Sequence, residues 1–169
     1  MKKVSLLLIV ITTIASAQLR LGLDVSRELS MSGIEAEKAD GMGFTLGYEQ
    51  MLLSLVGVGA EYSLAGDEGI DMLYGYAVGK IPVGFPMARG IIRAGYSMPM
   101  GDASDFYEAG LAYGVGLRVK PPLFPVGIEA LYTIHNLEMK SDGDDFAEMF
   151  ASLLELKYNV LTVTATYSF

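Results

Sequence analysis

His135 is the only histidine in the chain, and cysteine is absent. Any mechanism that moves a proton through an imidazole must therefore use that one side chain. A thiolate nucleophile, a thiolate metal site, a disulfide and a lipid-modified cysteine are all excluded. Asn136-Leu137 follows His135, and no Ser-His-acid grouping is legible around it. The plain reading of His135 is a side chain that hydrogen-bonds locally at the base of a loop. No catalytic residue and no cofactor are expected, and the chain is not expected to be an enzyme. Carboxylates are more plentiful. Asp142, Asp144 and Asp145, with Glu138 and Glu148 nearby, form the one cluster that resembles a weak Ca2+ or Mg2+ site. It lacks the spacing and terminal glutamate of an EF-hand, which favours a solvated acidic loop. The pairs Gly57-x-Gly59 and Gly114-x-Gly116 are not nucleotide loops, because no helix follows them. They fit strand positions that face a crowded interior. The other charges that stand out are isolated in apolar stretches: Arg20, Asp24, Glu49, Glu61, Arg93, Arg118 and Glu129. What they do depends on which way they point.

The elements that carry them have a period of two almost everywhere, the signature of strands. In Leu19 to Ser26 the odd positions are apolar and the even ones polar or glycine. Phe44, Leu46 and Tyr48 oppose Gly43, Thr45 and Glu49; Val56, Val58, Ala60, Tyr62 and Leu64 oppose Gly57, Gly59, Glu61 and Ser63. A fourth strand sets Met72, Tyr74, Tyr76 and Val78 against Leu73, glycine and alanine. The next three place Ile92, Ala94, Tyr96 and Met98, then Leu111, Tyr113, Val115 and Leu117, then Val126, Ile128, Ala130, Tyr132 and Ile134 on their bulky faces. The last runs Leu161 to Phe169; upstream, Leu154, Leu156 and Tyr158 fall on the opposite parity. That switch predicts a bulge near Asn159 in one long strand, with a tight turn and two short strands as the alternative. Segment 144–151 could add a turn of helix.

Alternation also marks a half-buried soluble sheet. The side that is large separates the two cases. Here the bulky face is apolar, while the other is glycine, threonine, serine and scattered charge. A soluble ligand-binding barrel hides its large apolar side chains; a lipid-facing one turns them outward. The expected fold class is therefore all-β, a closed antiparallel up-and-down transmembrane β-barrel of about eight strands, whose lumen is just wide enough for side chains to fill. In that frame the isolated charges point inward as an ion-pair network, since an unpaired charge in a narrow lumen costs several kcal/mol. Arg93 is the expected hub, and a narrow ion path is the alternative.

Connections and composition agree. Glu49–Ser54, Ile81–Ala88 and Lys120–Pro125 are short; Met31–Gly41, Ala65–Asp71, Pro99–Glu108 and Leu137–Met149 are mostly longer and polar. Short periplasmic turns and long outer loops are the barrel pattern, and eight strands put both termini on the periplasmic side. Fourteen of the 20 acidic residues fall in the four long connections, while Lys80, Arg89, Arg118 and Lys120 mark the short side. With strands running alternately up and down, Phe44, Tyr62, Tyr74, Tyr96, Tyr113 and Tyr132 sort near the loop end, like an interfacial aromatic girdle. Mean hydropathy is +0.38 with 51% hydrophobic residues, high for a soluble protein. Lys2-Lys3, the apolar run Val4 to Ile14 and Ala15-Ser16-Ala17 form a signal peptide with its A-x-A cleavage site. Residues 1–17 are thus expected to be removed and 18–169 to form the barrel domain. The mature chain would carry 12 − 2 = 10 basic and 20 acidic residues, which argues against nucleic acid as a partner. No stretch approaches the ~18 apolar residues of a spanning helix.

Signal peptide, barrel periodicity and terminal Tyr167-Ser168-Phe169 together resemble the bacterial outer-membrane β-barrel family of the OmpA/OmpX size class. The resemblance covers the mature chain at the level of architecture. It implies residence in the outer membrane, contact with lipid and lipopolysaccharide, and reading of Tyr167 and Phe169 by the barrel-assembly machinery. Lipid A deacylases of such membranes place a serine two positions after their histidine; here that position is Leu137. The expected role is structural or adhesive, through acidic outer loops, in a monomer. A low-conductance pore is the first alternative and a lipid-modifying enzyme a distant one.

Overall fold

The alternating Val, Tyr, Thr, Leu and Ile residues fit a pleated, two-sided surface, and they build strands throughout. A computed structural model describes residues 17–31, 37–39, 41–66, 69–140 and 156–169. Eight long strands form the wall: β1 (Ala17–Met31), β3 (Gly43–Met51), β4 (Val56–Leu64), β5 (Met72–Pro82), β6 (Ala88–Pro99), β8 (Gly110–Val119), β9 (Val126–Met139) and β10 (Leu156–Ser168). Two short strands, β2 (Glu37–Lys38) and β7 (Tyr107–Glu108), pair with the outer parts of β1 and β9. A 3-10 turn spans Gly101–Asp105. Every wall strand is antiparallel to its neighbours, and β10 pairs with both β9 and β1. The sheet is thereby closed into an eight-stranded barrel with no free edge. Closure satisfies the backbone polar groups that lipid could not.

The greasy face is on the outside. Leu21, Val58, Tyr96, Val115 and Val163, from five different strands, are between 41% and 64% exposed. Among the described residues no helix is long and apolar enough to cross a membrane. A Val115→Arg substitution, at mid-height on β8, is expected to cost about 2–4 kcal/mol when the barrel unfolds from lipid vesicles, the usual penalty for a lipid-facing charge at the bilayer centre. An unchanged unfolding midpoint would place Val115 away from hydrocarbon.

Two expectations need correction. The expected bulge at Asn159 is absent: β10 pairs with β9 without interruption from Leu156↔Leu137 to Tyr167↔Val126. The irregularity lies instead in β1, where Asp24 faces Thr162 and Ser26 faces Leu161, leaving Val25 extra. Before it, Arg20 and Asp24 point inward; after it, Arg27 does, and Leu29 and Met31 pack against the interior. Leu156, Tyr158 and Val160 share the inward face of Thr162, Thr164 and Thr166. Their opposite parity reflects apolar lumen residues in one continuous strand.

The fourth wall strand is the second correction. Met72, Tyr74, Tyr76 and Val78 are at most 5% exposed, so β5 turns its large side chains inward and shows Leu73, Gly75 and Ala77 to the outside. The reason is volume. Tyr76 is flanked by Gly59 and Gly95 and Val78 by Gly57, and a Cβ on Gly59 would sit 2.6 Å from the Tyr76 ring. A lumen lined mainly by small residues would be hollow; β5 supplies the missing bulk.

Candidate functional site

Each wall strand except β10 contributes one charged side chain to a single buried cluster. The cations are Arg20 (β1), Lys80 (β5), Arg93 (β6) and Arg118 (β8); the carboxylates are Glu49 (β3), Glu61 (β4) and Glu129 (β9). Strand alternation aims all seven at the axis. Glu129 pairs with Arg20, lies 3.5 Å from Arg93 Nη2 through Oε2, and lies 3.5 Å from Arg118 Nη1 through Oε1. Glu49 pairs with Lys80 and stands 3.3 Å from Arg93 Nη2. Glu61 accepts from Arg93 Nη1 at 3.0 Å and lies 3.4 Å from Arg20 Nε. Arg20 and Arg93 therefore each reach all three carboxylates, and the role of hub is shared between them. Arg93 also sits over the Tyr76 ring, 4.2 Å from its centroid, a cation–π contact in a dry setting. Glu49 and Glu129 are wholly buried, so the pairing offsets a desolvation cost of several kcal/mol per ion.

Asp24 stands apart from these ion pairs. It accepts hydrogen bonds from Thr162 at 2.9 Å and Thr45 at 3.2 Å, and Thr45 in turn contacts Ser63 at 2.9 Å. This hydroxyl layer lies further from the short turns. Beyond it the lumen becomes apolar: Ile70, Met72, Leu137, Leu156, Tyr158 and Val160 form one cluster, with Leu29, Met31 and Tyr107 packed against it. Arg27, also buried, bonds the Ala65 carbonyl.

His135 lies inside this outer half. Its Nδ1 is 2.5 Å from Ser97 Oγ across the lumen, and the rings of Tyr74 and Tyr158 stand 5.4 and 6.0 Å from it. Ser97 and His135 both face inward on β6 and β9, and the strand between them offers only Gly110 and Ala112, which leaves room for the imidazole. That contact was legible in principle, since both parities and the two small residues are in the sequence. Ser97 is fully buried, so the arrangement is a hydrogen bond rather than an accessible nucleophile.

Of the aromatics assigned to the girdle, Phe44, Tyr96, Tyr113 and Tyr132 are exposed on the outer face and Tyr62 is half-buried there. Tyr74 is 1% exposed and points into the lumen, which removes it from any girdle. Its hydroxyl donates to the Ala112 carbonyl at 3.3 Å. Tyr167 and Phe169 stack edge to face with centroids 5.2 Å apart, both exposed. Lys80, Gln18 and Arg27 are inward polar residues that the strand-by-strand reading missed. Lys80 carried the signal: it shares parity with Met72, Tyr74, Tyr76 and Val78, and a charge on a lipid-facing strand must turn inward. Asp142, Asp144 and Asp145 lie outside the described residues, as do residues 1–16 and the whole of segment 144–151. No metal-binding group of three or more candidate ligands occurs among the described residues.

A closed eight-stranded antiparallel wall, apolar outside and charged within, defines the architecture of the outer-membrane β-barrels. No family model and no curated protein sequence matches the chain. Among solved structures it is similar to the crystal structure of Neisserial surface protein A (NspA), with a TM-score of 0.61 at 11% identity, over 90% of this chain and 97% of that one. It is also similar to the solution structure of the de novo designed TMB2.3, with a TM-score of 0.55 at 13% identity, over 91% and 94% of the two chains. At such identities the likeness is one of fold.

Proposed function

We propose that the protein is a small, non-conducting outer-membrane barrel whose structural or surface-interaction role is carried by its acidic outer loops. The reading includes export through a cleaved segment 1–17, monomeric insertion by the barrel-assembly machinery, which would read Tyr167 and Phe169, and contact with lipid and lipopolysaccharide. The observation that carries it is the occupied lumen. Seven charged side chains bond across the half nearer the short turns, and an apolar cluster fills the half beneath the loops. An ion crossing this interior would have to break the pairs and then traverse hydrocarbon-like side chains. With the lumen filled, the loops are left as the surface that can meet a partner. The similarity to a Neisserial surface protein supports the same placement at the level of fold. The setting of His135, under the apolar cluster and bonded to a buried serine, supports a non-enzymatic reading.

Planar-bilayer recording tests the proposal directly. Purified protein is expected to insert without discrete openings; a defined conductance step would overturn the closed lumen and favour a pore. Protease treatment of intact cells is the second arm. Cleavage is expected within the long connections, and loop segments that stay intact on whole cells but are cut in broken ones would overturn the outward orientation.

A further inference from the structure

The interior is not closed at the short-turn end. There it opens into a cavity of about 560 Å3, lined by Lys80 and Arg118 from the buried cluster and by Arg89, Lys120 and the proline-rich 120–125 turn. That volume lies within the ordinary range for small-ligand pockets, about 300–1,000 Å3. Four lining residues are cations and none is an acid.

The charge does not balance. The buried cluster contains four cations, Arg20, Lys80, Arg93 and Arg118, against three carboxylates, Glu49, Glu61 and Glu129, which leaves one positive charge over. Arg89 and Lys120 add two more at the mouth. Four of these six cations, Lys80, Arg89, Arg118 and Lys120, line the cavity. Arg118 is the pivot. Its Nη groups donate to Gln18 at 2.5 Å and to Thr166 at 3.0 Å, but its buried Nε has no hydrogen-bond partner. Arg89 uses one donor on the Ser54 carbonyl at 3.2 Å, which fixes it over the mouth with its other donors to spare. Lys120 is held below the usual lysine range, first by partial burial and then by Arg118 and Arg89 beside it. Like charges gathered in a low-dielectric cleft raise the local concentration of anions, and guanidinium forks match phosphate oxygens.

We propose that this cavity binds a phosphate-type oxyanion carrying two or more negative charges, held by Arg89, Arg118 and Lys120. The group would be presented from the short-turn side, either on a free phosphate compound or on the headgroup of a phosphomonoester lipid. Such an anion neutralises the excess that the protein's own carboxylates leave. Apolar lining residues, among them Leu123 and Phe124, accommodate whatever bears the phosphate.

The test uses the protein purified from membranes in an uncharged maltoside detergent. Inorganic pyrophosphate and short-chain phosphatidic acid are titrated separately, followed by 31P resonance shifts and by the rise in unfolding temperature. Saturable binding of at least one probe is expected. It should weaken tenfold or more in an R89Q/K120Q double variant, whose substitutions lie outside the buried cluster and whose cold gel mobility is expected to stay unchanged. Binding of pyrophosphate alone assigns a free phosphate ligand, binding of phosphatidic acid alone a lipid headgroup, and binding of both the shared group; each supports the site. Absence of saturable binding for both probes, undiminished binding in the double variant, or equal displacement by chloride at matched ionic strength overturns it.

Discussion

Replacing Glu129 with leucine is expected to destabilise the barrel by about 3–5 kcal/mol, the usual consequence of removing one partner from a buried charge cluster. Glu129 is 0% exposed and faces three arginines. Without it, four cations would share two carboxylates. Charge balance ranks the alternatives. An Arg93→Leu variant leaves three cations against three carboxylates and is expected to lose less, although it also gives up the contact with Tyr76. The double variant E129L/R93L should be less destabilised than the sum of the single losses, because neighbours in one network are not additive. Thermal unfolding followed by circular dichroism, with cold gel mobility as the check for folding, measures all three. A Glu129→Leu barrel as stable as the parent, or less affected than Arg93→Leu, would mean that water screens the cluster and that it contributes little to holding the lumen together.

The second large effect is steric. A Gly95→Ala substitution is expected to cost about 3 kcal/mol or more, or to block assembly, whereas Gly75→Ala one strand away should be nearly neutral. The residues lie on β6 and β5, and Gly95 pairs directly with Tyr76. A Cβ added to Gly95 would stand 1.9 Å from the Gly75 carbonyl oxygen and 2.6 Å from the Tyr76 Cα. Both obstacles are backbone, so no rotamer change relieves them, and the two strands would have to part. Overpacking of a core commonly costs about 1–3 kcal/mol even where side chains can adjust. At Gly75 nothing lies within 4 Å of the added methyl, which would face outward. Yield of folded barrel and urea midpoint distinguish the pair; equal behaviour of the two alanine variants would contradict the close approach of β5 and β6 at this level.

Most of the wall was legible in the sequence because a strand facing lipid must be apolar on one side, and the side follows from parity alone. The inward placement of Arg20, Glu49, Glu61, Arg93, Arg118 and Glu129 came out of that rule without any knowledge of pairing. The rule failed on β5 because bulk was used as the marker of the lipid face. A packed lumen also needs bulk, and only the complement of glycines on neighbouring strands shows which strand supplies it. Lys80 outweighs four large residues as a guide, since charge tolerates hydrocarbon less than tyrosine tolerates burial. The expected bulge at Asn159 fails for a related reason: Leu156 and Tyr158 look outward-facing because they are apolar, and the outer lumen is apolar too. The convergence of Lys80, Arg89, Arg118 and Lys120 at one cavity was not legible. Their assignment to the short side was, but their meeting depends on which turns fold over the mouth.

Seven of the eight seams in the wall join strands that follow one another along the chain; the eighth joins β1 to β10. The seven can zip as neighbouring hairpins, each closing a loop far shorter than the separation the eighth must span, at modest entropic expense. The eighth requires residues more than a hundred positions apart to find each other in correct register around Val25. Until then, two unpaired strand borders are open at once and invite pairing with another copy. Closure of this last seam is therefore expected to be the slow event in making the molecule, and a lesion anywhere in β10 should show itself as trapped, adhesive intermediates before it shows itself as a weaker finished product.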